Sequence, residues 1–296
     1  MQPESLAARV WPDGAPRVEP LGGGITNHNF KVSLEDGRAF VLRIGGKDTE
    51  LLGIDRRAEH EAALAAAAAG AGPEVLSFVE PEGVLVTRFV EGDPFPPDRM
   101  RSPEGIRRAV DTLKPFHDGR AIPSRFDSFR VVETYATTAR ERGVRLPGEF
   151  EHARELARHI ERARGPQPER ACHNDLLNAN FIVHGDRLWI VDWEYAGMGD
   201  VLFDLANLSV NHGFEPDEDE LLLRCYFGES RRTDAAALAV MRFMSDFREA
   251  MWGVVQQAIS ELDVDFVAYA AEHFERLERT AAAPHFRAAL HTLESR

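Results

Sequence analysis

The first ninety residues carry strand and turn signals, and the pattern beyond them becomes mostly helical. Val18-Glu19-Pro20-Leu21, Phe30-Lys31-Val32-Ser33-Leu34 and Ala39-Phe40-Val41-Leu42-Arg43-Ile44 read as strands, separated by Gly22-Gly23-Gly24 and by Glu35-Asp36-Gly37. A helix is predicted from about Asp55 to Ala69, with Asp55 as its N-cap and Gly70-Ala71-Gly72-Pro73 closing it. Two short strands follow, Glu74 to Phe78 and Val84 to Thr87. After Gly92 the run Asp93-Pro94-Phe95-Pro96-Pro97 breaks regular structure. That break divides the chain into an expected N-terminal lobe, 1–92, and a C-terminal lobe, 93–296.

In the second part Ile106, Val110, Leu113 and Phe116 share one helix face, as do Phe266, Tyr269, Ala270, Phe274 and Leu277. The main exception is an expected β-hairpin. Phe181-Ile182-Val183 and Leu188-Trp189-Ile190-Val191 flank His184-Gly185-Asp186-Arg187, a turn-forming cluster.

Composition changes this picture little. The 296 residues are 44% hydrophobic and 28% charged, ordinary for a globular protein and enough for two lobes. A net charge of −14 argues against a nucleic-acid partner; it suits a cationic small substrate but equally serves solubility. Two cysteines make neither a disulfide framework nor a zinc site. The start of the chain lacks a signal-peptide pattern, and no apolar run reaches the ~18 residues of a membrane span, so a cytoplasmic location is expected.

Candidate chemistry gathers around the hairpin. Asp175 and Asn180 stand five residues apart, and Asp192 follows twelve residues after Asn180. Antiparallel pairing returns Asp192 to Asn180, so an amide oxygen and a carboxylate face one small volume suited to a hard cation such as Mg²⁺. Asp175, on the preceding loop, is free to accept a proton. Base, metal amide and metal carboxylate are what phosphoryl transfer requires. Gly22, Gly23 and Gly24 with Thr26 and Asn27 would lay backbone N–H groups over phosphates, although a glycine triplet between strands is more often just a loop. Arg43 lies late in a strand, and Glu59 on the next helix would orient it; Glu61 and Arg57 share that helix, so spacing alone does not choose between them. His173 is read as a loop-holding residue. Asp204, in Phe203-Asp204-Leu205-Ala206-Asn207, is read as an N-cap or loop anchor. Trp252 and Tyr269 fall on apolar helix faces, where core is the default, though rings of this kind also bind quaternary ammonium groups.

With these residues in view, the chain resembles the aminoglycoside phosphotransferase and choline kinase superfamily, relatives of protein kinases. The resemblance rests on His173-Asn174-Asp175 through Asn180, Val191-Asp192-Trp193-Glu194-Tyr195-Ala196-Gly197 and Phe203-Asp204-Leu205-Ala206-Asn207, in that order and spacing. The bacterial choline/ethanolamine kinase-like branch matches best. Leu21 to Phe30 match its nucleotide loop, Asn29 included, and Val41-Leu42-Arg43-Ile44 a strand with Arg where aminoglycoside kinases have Lys. The spacing from Glu59 to Pro73-Glu74-Val75-Leu76 selects Glu59 over Glu61. The resemblance implies an α+β, protein-kinase-like fold: a five-stranded antiparallel sheet with one helix, a mainly helical second lobe, and ATP between them. It further implies adenine against the linker from Thr87 through Phe89 to Val90, and Arg43, held by Glu59, on the phosphates. Mg²⁺ would lie on Asn180 and Asp192, with Asp175 as base. Trp252, Tyr269 and Glu194 become candidates for the acceptor pocket, with Val255 where choline kinases often show a second Trp. The implied activity is phosphorylation of a small amine-bearing alcohol such as choline or ethanolamine. Alternatives are an aminoglycoside or other alcohol kinase, or a catalytically silent nucleotide-binding pseudokinase.

Overall fold

The computed structural model describes residues 2–22 and 26–295. Gly23 and Gly24, expected in the nucleotide loop, lie outside the described residues. Chain order begins with α1 (Pro3–Val10), β1 (Arg17–Leu21), β2 (Asn27–Ser33), β3 (Ala39–Gly45), α2 (Arg56–Ala68), β4 (Val75–Val79) and β5 (Val84–Arg88). The five strands form one antiparallel sheet in the order β1-β2-β3-β5-β4. Alternation along β3 turns Phe40 and Leu42 into a small core with Val32, Val84 and Val86. Arg43 therefore points to the opposite face, where α2 and the later hairpin meet it.

The expected single helix of this lobe is joined by α1. Pro3 opens α1 at a position that needs no N–H, and Leu6 and Ala7 close over the small core. Asp55 caps α2 as predicted, accepting from the Arg57 and Ala58 N–H groups at 2.8 and 3.1 Å. The alanine face of α2 (Ala62, Ala65, Ala66) joins the larger core of the second lobe instead of the sheet's own.

Next come β6 (Asp93–Pro94), α3 (Pro97–Met100), α4 (Pro103–His117), α5 (Ser128–Glu141) and α6 (Phe150–Arg164). The segment predicted as irregular after Gly92 thus contains β6, which pairs with β8 (Phe181–His184); as an edge strand it tolerates Pro94. The hairpin is β8 and β9 (Arg187–Ile190), and a short pair, β7 (Arg170–Cys172) with β10 (Gly197–Gly199), brackets it. The chain ends in α7 (Val201–Asn211), α8 (Pro216–Phe227), α9 (Arg232–Ile259), α10 (Phe266–Ala282) and α11 (Pro284–Glu294). α9 is the axis of this lobe, packed by α5, α7, α10 and α11. Both predicted helix faces point inward: Ile106, Val110, Leu113 and Phe116 are buried, as are Phe266, Ala270, Phe274 and Leu277. No helix among the described residues is long and apolar enough to cross a membrane.

Candidate active site

The hairpin register, Phe181 opposite Ile190, is extended when the Val191 N–H donates to the Asn180 carbonyl at 2.9 Å. Asn180 and Asp192 are thereby brought to the same open end. Asn180 Nδ2 donates to the Asp175 carbonyl at 2.8 Å, which fixes the amide and leaves Oδ1 as its side-chain acceptor. Asp192 and Asn174 hold left-handed backbone, with φ of +68° and +67°. Asp and Asn are the non-glycine residues that visit this region most readily. These strained turns aim the ends of both loops.

One buried carboxylate organises the loop before the hairpin. Asp204 accepts from the backbone N–H groups of His173 and Asn174, at 2.7 and 2.6 Å, and from His117 Nε2 at 2.9 Å. Burial pushes its carboxyl up, but these donors, His117 foremost, outweigh burial and hold it below the ordinary range. It is the loop anchor of the two predicted roles; the N-cap of α7 is Asp200, whose side chain accepts from the Leu202 N–H. His173 is buried and neutral in character: burial lowers its pKa, Nε2 donates to the Val191 carbonyl at 3.0 Å, and Nδ1 accepts from the Asp175 N–H at 3.2 Å. It therefore ties the Asp175 loop to the strand leading to Asp192.

Arg43 Nη1 joins α2 to the hairpin, donating to Glu59 at 2.9 Å and to Asp192 at 2.6 Å. Burial opposes the Arg43 charge, but Asp192 and Glu59 hold its pKa well above the usual value. Glu59 also accepts from Arg56 at 2.8 Å; Arg56 in turn reaches Glu194 at 3.2 Å and Thr49 at 3.0 Å. A Cβ at Gly45 would lie 2.7 Å from Arg56 Nε, so glycine is what admits this guanidinium. Glu194, expected with the acceptor rings, is oriented otherwise. Its carboxylate accepts from Thr26 Oγ1 at 2.6 Å and Asn27 Nδ2 at 2.8 Å, which places it against the start of β2. Burial first, then Asp192, raises its pKa to about 7. Asn29 faces Arg43 across the β2–β3 ladder. In the linker, Thr87 pairs with Val41, and the Phe89 N–H is spent on the Ala39 carbonyl at 3.0 Å. Among the described residues the Val90 N–H has no backbone hydrogen-bond partner.

Asp175 faces α9. Its Oδ1 accepts from Arg248 Nη1 at 3.2 Å, and the same nitrogen donates to Glu249. Glu249 also accepts from the Tyr269 hydroxyl at 2.9 Å. Trp252 packs edge-on against Tyr269 and donates from Nε1 to the Tyr195 hydroxyl at 2.9 Å. Gly253 lets α10 approach this closely, because a Cβ there would lie 2.8 Å from Tyr269. Asp246 and Glu249 are both buried; Asp246 turns away to His273 and Arg276. Sequence reasoning missed Arg56, Arg248 and Tyr195. Arg248 lies on the buried side of α9 beside Phe247 and Met251, and a charge in the midst of apolar neighbours was the available signal.

A two-lobed kinase-like fold, with an Asp–Asn–Asp set at the hairpin and an Arg–Glu pair on the sheet, defines a phosphotransferase acting on a small-molecule alcohol. The sequence model of the phosphotransferase enzyme family matches residues 17–243, and the chain belongs to that family. Among curated proteins, LicA of Haemophilus influenzae is 27% identical over 257 residues, spanning 81% of this chain and 73% of LicA. Ethanolamine kinase 2 of Mus musculus is 26% identical over 299 residues, spanning 90% and 76%. Among solved structures, a choline/ethanolamine kinase family protein from Mesorhizobium loti is 33% identical with a TM-score of 0.84, covering 100% of both chains. Choline kinase LicA from Streptococcus pneumoniae has a TM-score of 0.79 at 23% identity, covering 94% of this chain and 98% of its own.

Proposed function

We propose that this chain transfers the γ-phosphoryl group of ATP to the hydroxyl of a small amine-bearing alcohol, the class to which choline and ethanolamine belong. The observation carrying this reading is the convergence of Asp175, Asn180, Asp192 and Arg43 at the hairpin's open end. The acceptor oxygen bonds to the γ-phosphorus as the bond to the bridging oxygen of ADP breaks. ADP leaves with that electron pair, and the acceptor proton passes to Asp175. Arg43, held by Glu59, contacts the phosphates, while Thr26, Asn27, Asn29 and the glycine loop cover them. Residues 1–92 act as the nucleotide lobe, with Val90 toward the adenine, and 93–296 supply the base and acceptor pocket. Asn180 offers an amide oxygen and Asp192 a carboxylate, a hard-donor set that fits Mg²⁺. When bound there, the ion neutralises charge on the phosphates. Trp252 and Tyr269 line the acceptor side, and Glu194 braces Thr26 and Asn27.

The relatives named ethanolamine kinase and LicA support the acceptor class, and a LicA complex with AMP among the structural neighbours supports the nucleotide. Aminoglycoside phosphotransferase neighbours, at 14% and 17% identity, speak for the fold alone. An ADP-release screen with Mg-ATP over amino alcohols, sugars and aminoglycosides tests the reading. Acceptor-dependent release with an amino alcohol is expected; no release above the acceptor-free background for any compound would refute it.

Acidity offers a separate check. Burial pushes the Asp175 carboxyl up to about 8, with Arg248 working against it. A protonated carboxyl is unable to take the acceptor proton, so kcat/KM is expected to rise toward that pH and level off above it. A profile flat between about pH 5 and about pH 9 would separate Asp175 from proton transfer.

A further inference from the structure

On the acceptor side of Asp175, a seat suited to a cation is filled by the chain itself. The Arg248 guanidinium lies 4.3 Å from the centroid of the Tyr195 ring. It is flanked by Asp175 and Glu249 and is only 1% exposed. An aromatic face with two carboxylates is the environment that attracts an ammonium group. A quaternary ammonium brought to this place would meet a fixed like charge.

The guanidinium is also only half used. Both of its contacts come from Nη1, whereas Nε and Nη2 have no hydrogen-bond partner among the described residues. Nε and Nη2 form one edge of the planar fork, and such an edge takes a carboxylate through two parallel N–H···O bonds. Buried donors of this kind are rarely left unpaired without a reason. Glu249 stands next to Arg248 along α9, held by Tyr269, so a positive and a negative group lie side by side next to Asp175. A zwitterion complements that polarity, and a bare cation does not.

We infer that Arg248 sets the acceptor class: the alcohol phosphorylated here carries a carboxylate as well as an amine, as a hydroxylated amino acid does. This rests on the kinase reading above and narrows its acceptor. As the side chain lies, Nε and Nη2 are closed to solvent. A bound carboxylate would turn the guanidinium toward itself, and the same turn releases the Asp175 oxygen for the acceptor hydroxyl.

The test is acceptor kinetics with L-serine, L-homoserine, ethanolamine and choline, on the wild type, Arg248→Leu and Arg248→Lys. For the wild type, one of the two amino acids is expected to exceed choline in kcat/KM by about tenfold or more, the scale of a site that hydrogen-bonds one acceptor and not the other. Arg248→Leu is expected to raise KM for that amino acid by about tenfold or more with the KM for ATP unchanged. Arg248→Lys, which keeps the charge and loses the fork, is expected to fall between. Choline at parity with or above both amino acids in the wild type would overturn the assignment while leaving the kinase intact, and needs no variant to fold. An equal loss for every acceptor in Arg248→Leu would also overturn it. ADP release with none of the four, but with a sugar or aminoglycoside, would overturn it together with the amino-alcohol reading. No release above the acceptor-free background with any acceptor would remove the kinase reading itself.

Discussion

Asp175→Asn is expected to lower kcat by on the order of 10²-fold or more while leaving Mg-ATP affinity close to wild type. The substitution keeps the side chain's shape and removes its ability to take a proton. Its local contacts argue against collapse. The carbonyl that receives Asn180 Nδ2 and the N–H that reaches His173 Nδ1 belong to the backbone and survive the change. Arg248 loses one anionic neighbour but retains Glu249. Steady-state rates paired with calorimetric titration of Mg-ATP separate the two effects. Turnover at the wild-type rate would remove Asp175 from its proposed role. Loss of nucleotide binding alongside turnover would mean that the substitution disturbs the whole loop.

The second large effect is structural. Asp204→Ala leaves two buried backbone N–H groups and His117 without their acceptor. Each orphaned buried donor costs roughly 1–3 kcal/mol, so the three together are expected to cost at least about 3 kcal/mol by denaturant unfolding. That is a large share of the roughly 5–15 kcal/mol that holds a typical domain together. The loop carrying Asp175 would lose its register, so kcat is expected to fall in whatever fraction remains folded. A change under about 1 kcal/mol with normal turnover would show that other contacts hold the loop. Asn207, which accepts from the Leu176 N–H and donates to Ser245, is the candidate for such a second anchor.

Short-range geometry made much of this site legible in advance. Asp175, Asn180 and Asp192 lie on one hairpin and its flanking loops, so a two-residue turn and strand alternation suffice to bring them together. The five-stranded sheet was equally readable, because each strand is bounded by glycine or proline. Contacts between distant segments were not. Glu194 lies two residues after Asp192 and was expected with the acceptor, yet its partners Thr26, Asn27 and Arg56 come from 168, 167 and 138 residues away. Arg248 meets Asp175 across 73 residues, so no short-range pattern shows that the two touch. The second helix of the first lobe, α1, went unpredicted because its apolar face is only a few residues wide.

The Arg43–Asp192 contact has a consequence for how the protein is maintained between turnovers. The carboxylate proposed to meet the metal has a counter-ion of the chain's own at 2.6 Å, and Glu59 keeps that counter-ion in place. Clustered acidic ligands ordinarily repel one another and lean on their ion to stay folded, as small metal-dependent domains do. Here the excess negative charge is already offset by a side chain. On the proposed assignment, magnesium scarcity would therefore slow the enzyme without exposing it to unfolding, and the cation would count among the reagents, not the building materials.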